Sequence, residues 1–171
     1  MCALARNIRA DARIYSRSGY APGVPRRAEG ARLDAWAAVL HVHADVVPLL
    51  DRALQETRGL PLRWYDVLLE LANAPGSRLR MQELGERAVL SRTRVSRVVD
   101  ELVDAGLVCR EPDSEDRRSS FAVLTGKGRG AFRRAAPTYL KAIDEHFGRH
   151  LSDGEADTMR AALRRVLDKH P

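Results

Sequence analysis

Three arginines stand close together between residues 91 and 99, and no acidic residue interrupts them. An arginine guanidinium can donate two hydrogen bonds to guanine in the major groove of DNA, and serine or threonine hydroxyls can bond either bases or phosphates. Acidic residues return only at Asp100 and Glu101. The stretch therefore predicts a DNA-reading surface formed by Ser91, Arg92, Thr93, Arg94, Ser96 and Arg97.

The same stretch carries apolar residues at helical spacing, which predicts a helix over residues 92–105 with a buried stripe. Ser91 is placed to cap its start, and Gly106 suits the left-handed position after its end. The arginines then fall on or near the side opposite the stripe, where the helix dipole adds positive potential at the N-terminal half. The stripe consists of Val95, Val98, Val99 and Leu102.

After Gly106 the apolar period changes from 3.6 to 2, which predicts two strands, Leu107–Arg110 and Ser120–Leu124, joined by a charged turn. In this turn Asp116 could orient one arginine while another enters a narrow minor groove. A solvated surface salt-bridge cluster is the alternative. The predicted contact residues of this hairpin are Asp116, Arg117, Arg118 and Ser119.

A short helix joined tightly to the helix over residues 92–105, and followed by the charged hairpin, predicts a winged helix-turn-helix. Longer helices with apolar stripes flank it, and a lone DNA-reading unit would leave those stripes exposed. Pairing them in a homodimer with two-fold symmetry demands an inverted-repeat site. We therefore expect a mainly α-helical fold with a small β-hairpin wing and with N- and C-terminal dimerisation helices. The expected parts are a basic leader (1–30), an N-terminal dimerisation helix (31–61), the winged helix-turn-helix (62–125) and C-terminal dimerisation helices (126–171).

The net charge of +6 comes mostly from residues 1–32, where seven arginines against two acids give +5. This leader is either a solvated tail or a basic arm that touches phosphates. Cys2 and Cys109 form no disulfide framework, which favours a cytoplasmic protein. No apolar run approaches 18 residues, so we expect no membrane span.

The sequence contains no common catalytic or nucleotide-binding motif, so we expect no enzyme, no catalytic residues and no cofactor. Gly126–Gly130 lacks P-loop spacing and is interpreted as the entry to a helix. His41 and His43 do not share a helix face, which argues against a metal site.

Four motifs together resemble the MarR family of bacterial transcriptional regulators, and the resemblance covers about residues 33–170. It implies a homodimer with intertwined first and last helices that binds double-stranded DNA at a palindromic operator and usually represses a neighbouring gene. It also implies that Asp116 and Arg118 form the wing pair, and that the residues that meet DNA are Ser91, Arg92, Thr93, Arg94, Ser96 and Arg97. The motifs are Leu90–Leu102, Ala105–Val108, Asp116–Ser119 and Leu124–Gly128.

The resemblance further implies release of DNA when a small aromatic or anionic effector binds. For several candidate lining residues a place in the core or in solvent is the alternative. Redox sensing through Cys109 is a second possibility for regulation, although a small buried apolar role is expected there. A winged helix used only for protein–protein contact is the alternative function. The candidate effector residues are Trp36, His43, Trp64, Tyr65, Asp66 and Arg110.

Overall fold

The computed structural model describes residues 28–113 and 120–169. The predicted wing-tip contacts Asp116, Arg117, Arg118 and Ser119 lie outside the described residues, as does most of the leader. Within the described part the helices are α1 (Ala28–Arg58), α2 (Leu62–Asn73), α3 (Met81–Arg87), α4 (Arg92–Asp104), α5 (Gly126–His146) and α6 (Asp153–Leu167). The strands are β1 (Arg78–Arg80), β2 (Val108–Pro112) and β3 (Ser120–Leu124).

The chain divides into two compact units, residues 1–49 and 50–171. The described part of the first unit is one helical segment of α1, which continues through Pro48 into the second unit. Over Gly30–Arg58 this helix is long and apolar enough to cross a membrane by length and composition, with a mean hydropathy of 1.3 over 18 residues. The expectation that no stretch has the length and composition of a membrane span is therefore wrong. Only 6% of this 18-residue stretch is buried.

The core of the second unit is built from the apolar faces of α2, α3 and α4. Leu68 and Leu71 of α2, Leu84 of α3 and Leu102 of α4 have no exposed surface. The predicted stripe of α4 is confirmed, because Val95, Val98, Val99 and Leu102 are all buried. Burying this stripe stabilises the fold by roughly 1.5–3 kcal/mol for each large side chain, and it decides which face of α4 remains outside.

A three-stranded antiparallel sheet with the order β1-β3-β2 packs beside these helices. β2 and β3 form the predicted hairpin, with Val108 opposite Leu124 and Pro112 opposite Ser120. β1 adds a third strand, with Arg78 opposite Val123. Ala122 and Leu124 point to the buried side of β3, because alternate residues of a strand face opposite sides.

The hairpin closes onto the end of α4 through the residues that begin α5. The side chain of Thr125 caps α5 by accepting a hydrogen bond from the Gly128 amide, and its hydroxyl lies 2.9 Å from the carbonyl oxygen of Gly106. Lys127 Nζ donates to the carbonyl oxygen of Ala105 at 2.8 Å, where the negative end of the α4 dipole favours a cation. The glycine-rich stretch therefore has the structural role of a helix entry.

The last helix leaves its apolar side uncovered. Ser152 and Glu155 form a capping box at the start of α6. Val166 and Leu167 are 57% and 67% exposed, and Leu163 is exposed as well. These large apolar side chains of α6 therefore face solvent in the single chain.

We predict that Gly128→Ala destabilises the fold by about 2–4 kcal/mol, because the added methyl group would collide with main-chain atoms that cannot move aside. A Cβ at position 128 would lie against the Leu107 carbonyl and 2.9 Å from Leu124 Cδ1. The measurement is the free energy of unfolding in urea. Gly126→Ala, two residues away with no atom near its Cβ position, is the control and should be neutral. Equal stability of both variants would contradict the close approach.

Candidate nucleic-acid interface

A tight turn places α4 against α3 in helix-turn-helix order. The Leu90 amide bonds the Gly85 carbonyl oxygen at 2.8 Å. A Cβ at Gly85 would lie only 3.4 Å from Val95 Cγ1, so a small residue here lets the two helices pack closely. Val89 in the turn has a φ of 53°, which is strained for a β-branched residue. Ser91 occupies the N-cap position of α4, but its side chain makes no capping hydrogen bond to the described residues, contrary to the prediction.

The exposed face of α4 carries the predicted cations. Arg92, Thr93, Arg94 and Arg97 are exposed, Ser91 is exposed just before them, and Ser96 is half-buried. In the part of the chain that the structure describes, no acidic side chain pairs with any of the three arginines. The N-terminal half of α4 therefore presents three unneutralised guanidinium groups next to the positive end of the helix dipole.

The two acids that follow these arginines are each tied to a neighbouring element. Glu101 Oε2 accepts hydrogen bonds from Trp64 Nε1 at 2.6 Å and from Arg63 Nη2 at 3.0 Å, both on α2. The hydrogen bond from Trp64, together with Arg63, holds the pKa of Glu101 below its usual value. These partners of Glu101 were missed by sequence reasoning, which placed Trp64 in an effector pocket. The only sequence signal was the abrupt return of acids after a basic run.

Asp100 is bound on the other side of α4 by Arg110 of β2. Arg110 Nη2 lies 2.8 Å from Asp100 Oδ1 and 3.2 Å from Ser96 Oγ. Arg110 was predicted to line an effector pocket, which stays a prediction; in the structure its guanidinium bonds Asp100 and Ser96 of α4. Ser96, predicted to read DNA, is at the same time an acceptor for this arginine.

A buried carboxylate anchors the base of the wing. Asp113, at the end of β2, is only 2% exposed in its side chain and accepts a hydrogen bond from Arg80 Nε at 2.8 Å. The Arg80 and Arg78 guanidinium groups lie 5.6 and 4.3 Å from the Phe121 ring centroid. Together these contacts join β1 to the hairpin that carries the wing tip.

Tyr65 and Asp66, two further effector candidates, belong to the packing between α2 and α5. The Tyr65 ring centroid lies 4.5 Å from that of Tyr139 and 5.4 Å from that of Phe132. Burial, with Tyr139 and then Asp66 adding to it, raises the pKa of Tyr65 to about 12. Burial, with the neighbouring Glu70 and Asp51 adding to it, raises the pKa of Asp66 to about 6.

The remaining effector candidates and the redox candidate Cys109 are exposed to solvent. Trp36 is 60% exposed and His43 is exposed, both in the α1 segment of the first unit. Cys109 is a free thiol on β2, and the expectation that it is buried is wrong, because its side of the strand faces outward. Among residues 28–113 and 120–169 no three His, Cys, Asp or Glu side chains are grouped so that they could hold a metal ion.

The chain was compared with known protein families, curated proteins and solved structures. A sequence model of the MarR family matches residues 58–119. A putative transcriptional regulatory protein for the hcr operon of Thauera aromatica is 30% identical over 115 residues, which cover 67% of this chain and 68% of that protein. These relatives are regulators of transcription, a class without enzymatic activity.

Solved structures of similar proteins share this architecture. The MarR family regulator Sco3205 from Streptomyces coelicolor, solved in complex with DNA, matches with a TM-score of 0.77 and 31% identity over 86% of this chain and 92% of that one. AbsC, a MarR family regulator from the same organism, matches with a TM-score of 0.75 and 30% identity over 85% of this chain and 97% of that one. The predicted mainly helical fold with a small wing is confirmed.

We predict that Asp66→Asn raises the free energy of unfolding by about 1–2 kcal/mol at pH 8. A carboxyl whose pKa is raised by folding destabilises the folded state when ionised. For Asp66 this cost is fully present above about pH 6 and is lost as the pH falls toward its ordinary pKa of 3.8. The advantage of the variant should therefore shrink over that range.

The measurement is urea unfolding of both proteins between pH 4 and pH 8. Glu70→Gln serves as the comparison, because it removes a charge that raises the pKa of Asp66 and should lower that pKa by NMR titration. A variant that is less stable by the same amount at every pH would contradict the prediction, since it would mean that the carboxylate makes a favourable contact.

Proposed function

Since this chain belongs to the MarR family of transcriptional regulators and is a DNA-binding regulator, we propose that it acts as a ligand-responsive repressor. In this proposal a homodimer in the cytoplasm binds double-stranded DNA at an inverted-repeat operator. The observation that carries it is the exposed, unneutralised set of Arg92, Arg94 and Arg97 on one half of α4. Repression, as opposed to activation, rests on the resemblance to the family.

The contacts of α4 support its role as the recognition helix. An acid facing the duplex would be repelled by phosphates, and both Asp100 and Glu101 are held by partners on β2 and α2. The arginines are left to read base edges or to bond phosphates. Asp116, Arg117, Arg118 and Ser119 remain the proposed wing contacts, with Arg118 entering the minor groove.

The uncovered apolar surfaces support the dimer. Trp36 on α1 and Val166 and Leu167 on α6 are more than half exposed. We propose that a second copy of the chain covers α1 and α6, which accounts for the membrane-like composition of α1 without lipid. A two-fold axis would then place two recognition helices about 34 Å apart, one turn of DNA.

A groove between α3, α4 and the wing supports an effector site. Its volume is about 740 Å³, within the range of roughly 300–1,000 Å³ usual for small-ligand pockets. Its charged lining consists of Arg92, of Arg110, which is bonded to Asp100, and of one acid, Glu86, which accepts a hydrogen bond from Gln82. Met81, Leu90 and Val95 supply apolar surface. We therefore place a small anionic aromatic effector here and not around Trp64 or Tyr65. An anion in this groove would engage Arg92 and compete with DNA for it.

We predict that Arg94→Ala or Arg97→Ala weakens binding to the operator by about 1–3 kcal/mol if the side chain reads a base. The operator is first located by footprinting the DNA upstream of the gene, and affinity is then measured by fluorescence anisotropy at several salt concentrations. Arg160→Ala, which removes an exposed charge from α6, is the matched control and should bind like the wild type.

Three outcomes separate the alternatives. An equal loss on operator and random duplexes would assign that arginine to phosphate contact. Wild-type affinity that does not fall as salt rises would contradict an electrostatic interface. A wild-type protein that binds no duplex from its own upstream region would support a winged helix used for protein contact.

We predict that Val166→Glu converts the dimer to a monomer, because it places a charge in the proposed apolar interface. Sedimentation velocity measures the mass of each species. Ala161→Glu puts the same charge on the exposed, opposite side of α6 and should remain a dimer. A wild-type monomer, or a wild-type protein that sediments with lipid vesicles, would show that α1 and α6 do not mediate dimerisation.

A further inference from the structure

Arg110 connects the two elements that the proposed function brings to DNA. It lies on β2, which leads into the wing tip, and its side chain reaches back to α4. The Nη2 atom is 2.8 Å from Asp100 Oδ1, 3.2 Å from Ser96 Oγ and 3.4 Å from the Ser96 carbonyl oxygen. Resting on the proposed DNA-binding function, we propose that Arg110 is a positioning residue that sets the orientation of the recognition helix relative to the wing.

The spacing of its partners is what allows one side chain to fix an orientation. Ser96 and Asp100 are four residues apart, so they lie one above the other on the same face of α4. Both side chains converge on the one Nη2 atom of Arg110, which therefore contacts two successive turns of α4. Such a contact resists rotation of α4 against β2 as well as separation of the two elements. A single ion pair would leave that rotation free.

Exposure indicates that this contact contributes little to the stability of the fold. The Arg110 side chain is 33% exposed and the Asp100 side chain 62% exposed. A pair this accessible to water stabilises a protein by at most about 1 kcal/mol. Its effect is therefore expected in DNA recognition, where a small change in the angle between α4 and the wing would place one of them out of register with its groove.

A positioning role for the Arg110–Asp100 contact and simple repulsion of phosphates by Asp100 predict opposite effects of substituting Asp100. If Asp100 were only a negative charge near phosphates, Asp100→Asn would tighten DNA binding. If Asp100 holds Arg110 in place, the same substitution weakens binding to the operator. We expect at least a fivefold loss of operator affinity, within the range of roughly 2- to 150-fold that coupled contacts show, with binding to random DNA unchanged.

The experiment measures operator and random-duplex affinity as a function of salt for Arg110→Gln, Arg110→Lys, Asp100→Asn and the Arg110→Gln/Asp100→Asn double variant. We expect both neutral single variants to lose specific affinity, the double variant to lose no more than either of them, and Arg110→Lys to recover part of the loss. The slope of affinity against salt should stay that of the wild type. Arg160→Gln, which breaks an exposed arginine–aspartate pair within α6, is the control and should keep the wild-type affinity for both duplexes.

Several results would overturn the proposal. Tighter DNA binding by Asp100→Asn would show that Asp100 acts only by repelling phosphates. A salt slope lowered by about one in Arg110→Gln, with equal loss on random DNA, would make Arg110 a phosphate contact instead. If Arg110→Gln does not fold, as judged by circular dichroism, Asp100→Asn and Arg110→Lys decide the matter. A wild-type protein that binds no duplex would instead contradict the proposed function.

Discussion

Burial of one apolar stripe determines how the rest of this molecule is arranged. Val95, Val98, Val99 and Leu102 lie against the core of the second unit, so α4 cannot rotate without exposing them to water. Because that face is buried, the side chains of Arg92, Arg94 and Arg97 extend into solvent. The position of the arginines is thus a consequence of where the valines are buried, and no direct contact is needed to hold the arginines outward.

Around this fixed helix, two of the three acids on α4 bond neighbouring elements. Glu101 bonds Trp64 and Arg63 on α2, and Asp100 bonds Arg110 on the wing strand. The two residues are adjacent in sequence and therefore point about 100° apart around the helix, so they tie α4 to two different neighbours. The same bonds neutralise negative charge that would otherwise oppose a polyanion. The same contacts therefore attach α4 to its neighbours and keep the potential at its exposed surface positive.

The hairpin is joined to this arrangement at both ends. Its outgoing strand leads to the buried carboxylate of Asp113, which is bonded to the exposed Arg80. Its returning strand ends at Thr125, whose hydroxyl contacts the carbonyl oxygen of Gly106 just after α4. Gly128 allows the close approach, since a side chain there would meet the Leu107 carbonyl. The wing is therefore braced against β1 on one side and against the end of the recognition helix on the other.

Periodicity was sufficient to predict most of the secondary structure and the exposed cationic face. The α4 helix and the hairpin follow from local patterns, because a helix buries every third or fourth residue and a strand every second one. Charge partners across the fold could not be predicted in this way. Asp113 looked like one of several charges in a solvated turn. The bonds of Trp64 to Glu101 and of Arg110 to Asp100 were not foreseen either, because the partners in these three contacts lie 33, 37 and 10 positions apart along the chain. Which acid meets which base depends on the distances that packing creates between separate elements, and only the folded chain contains those distances.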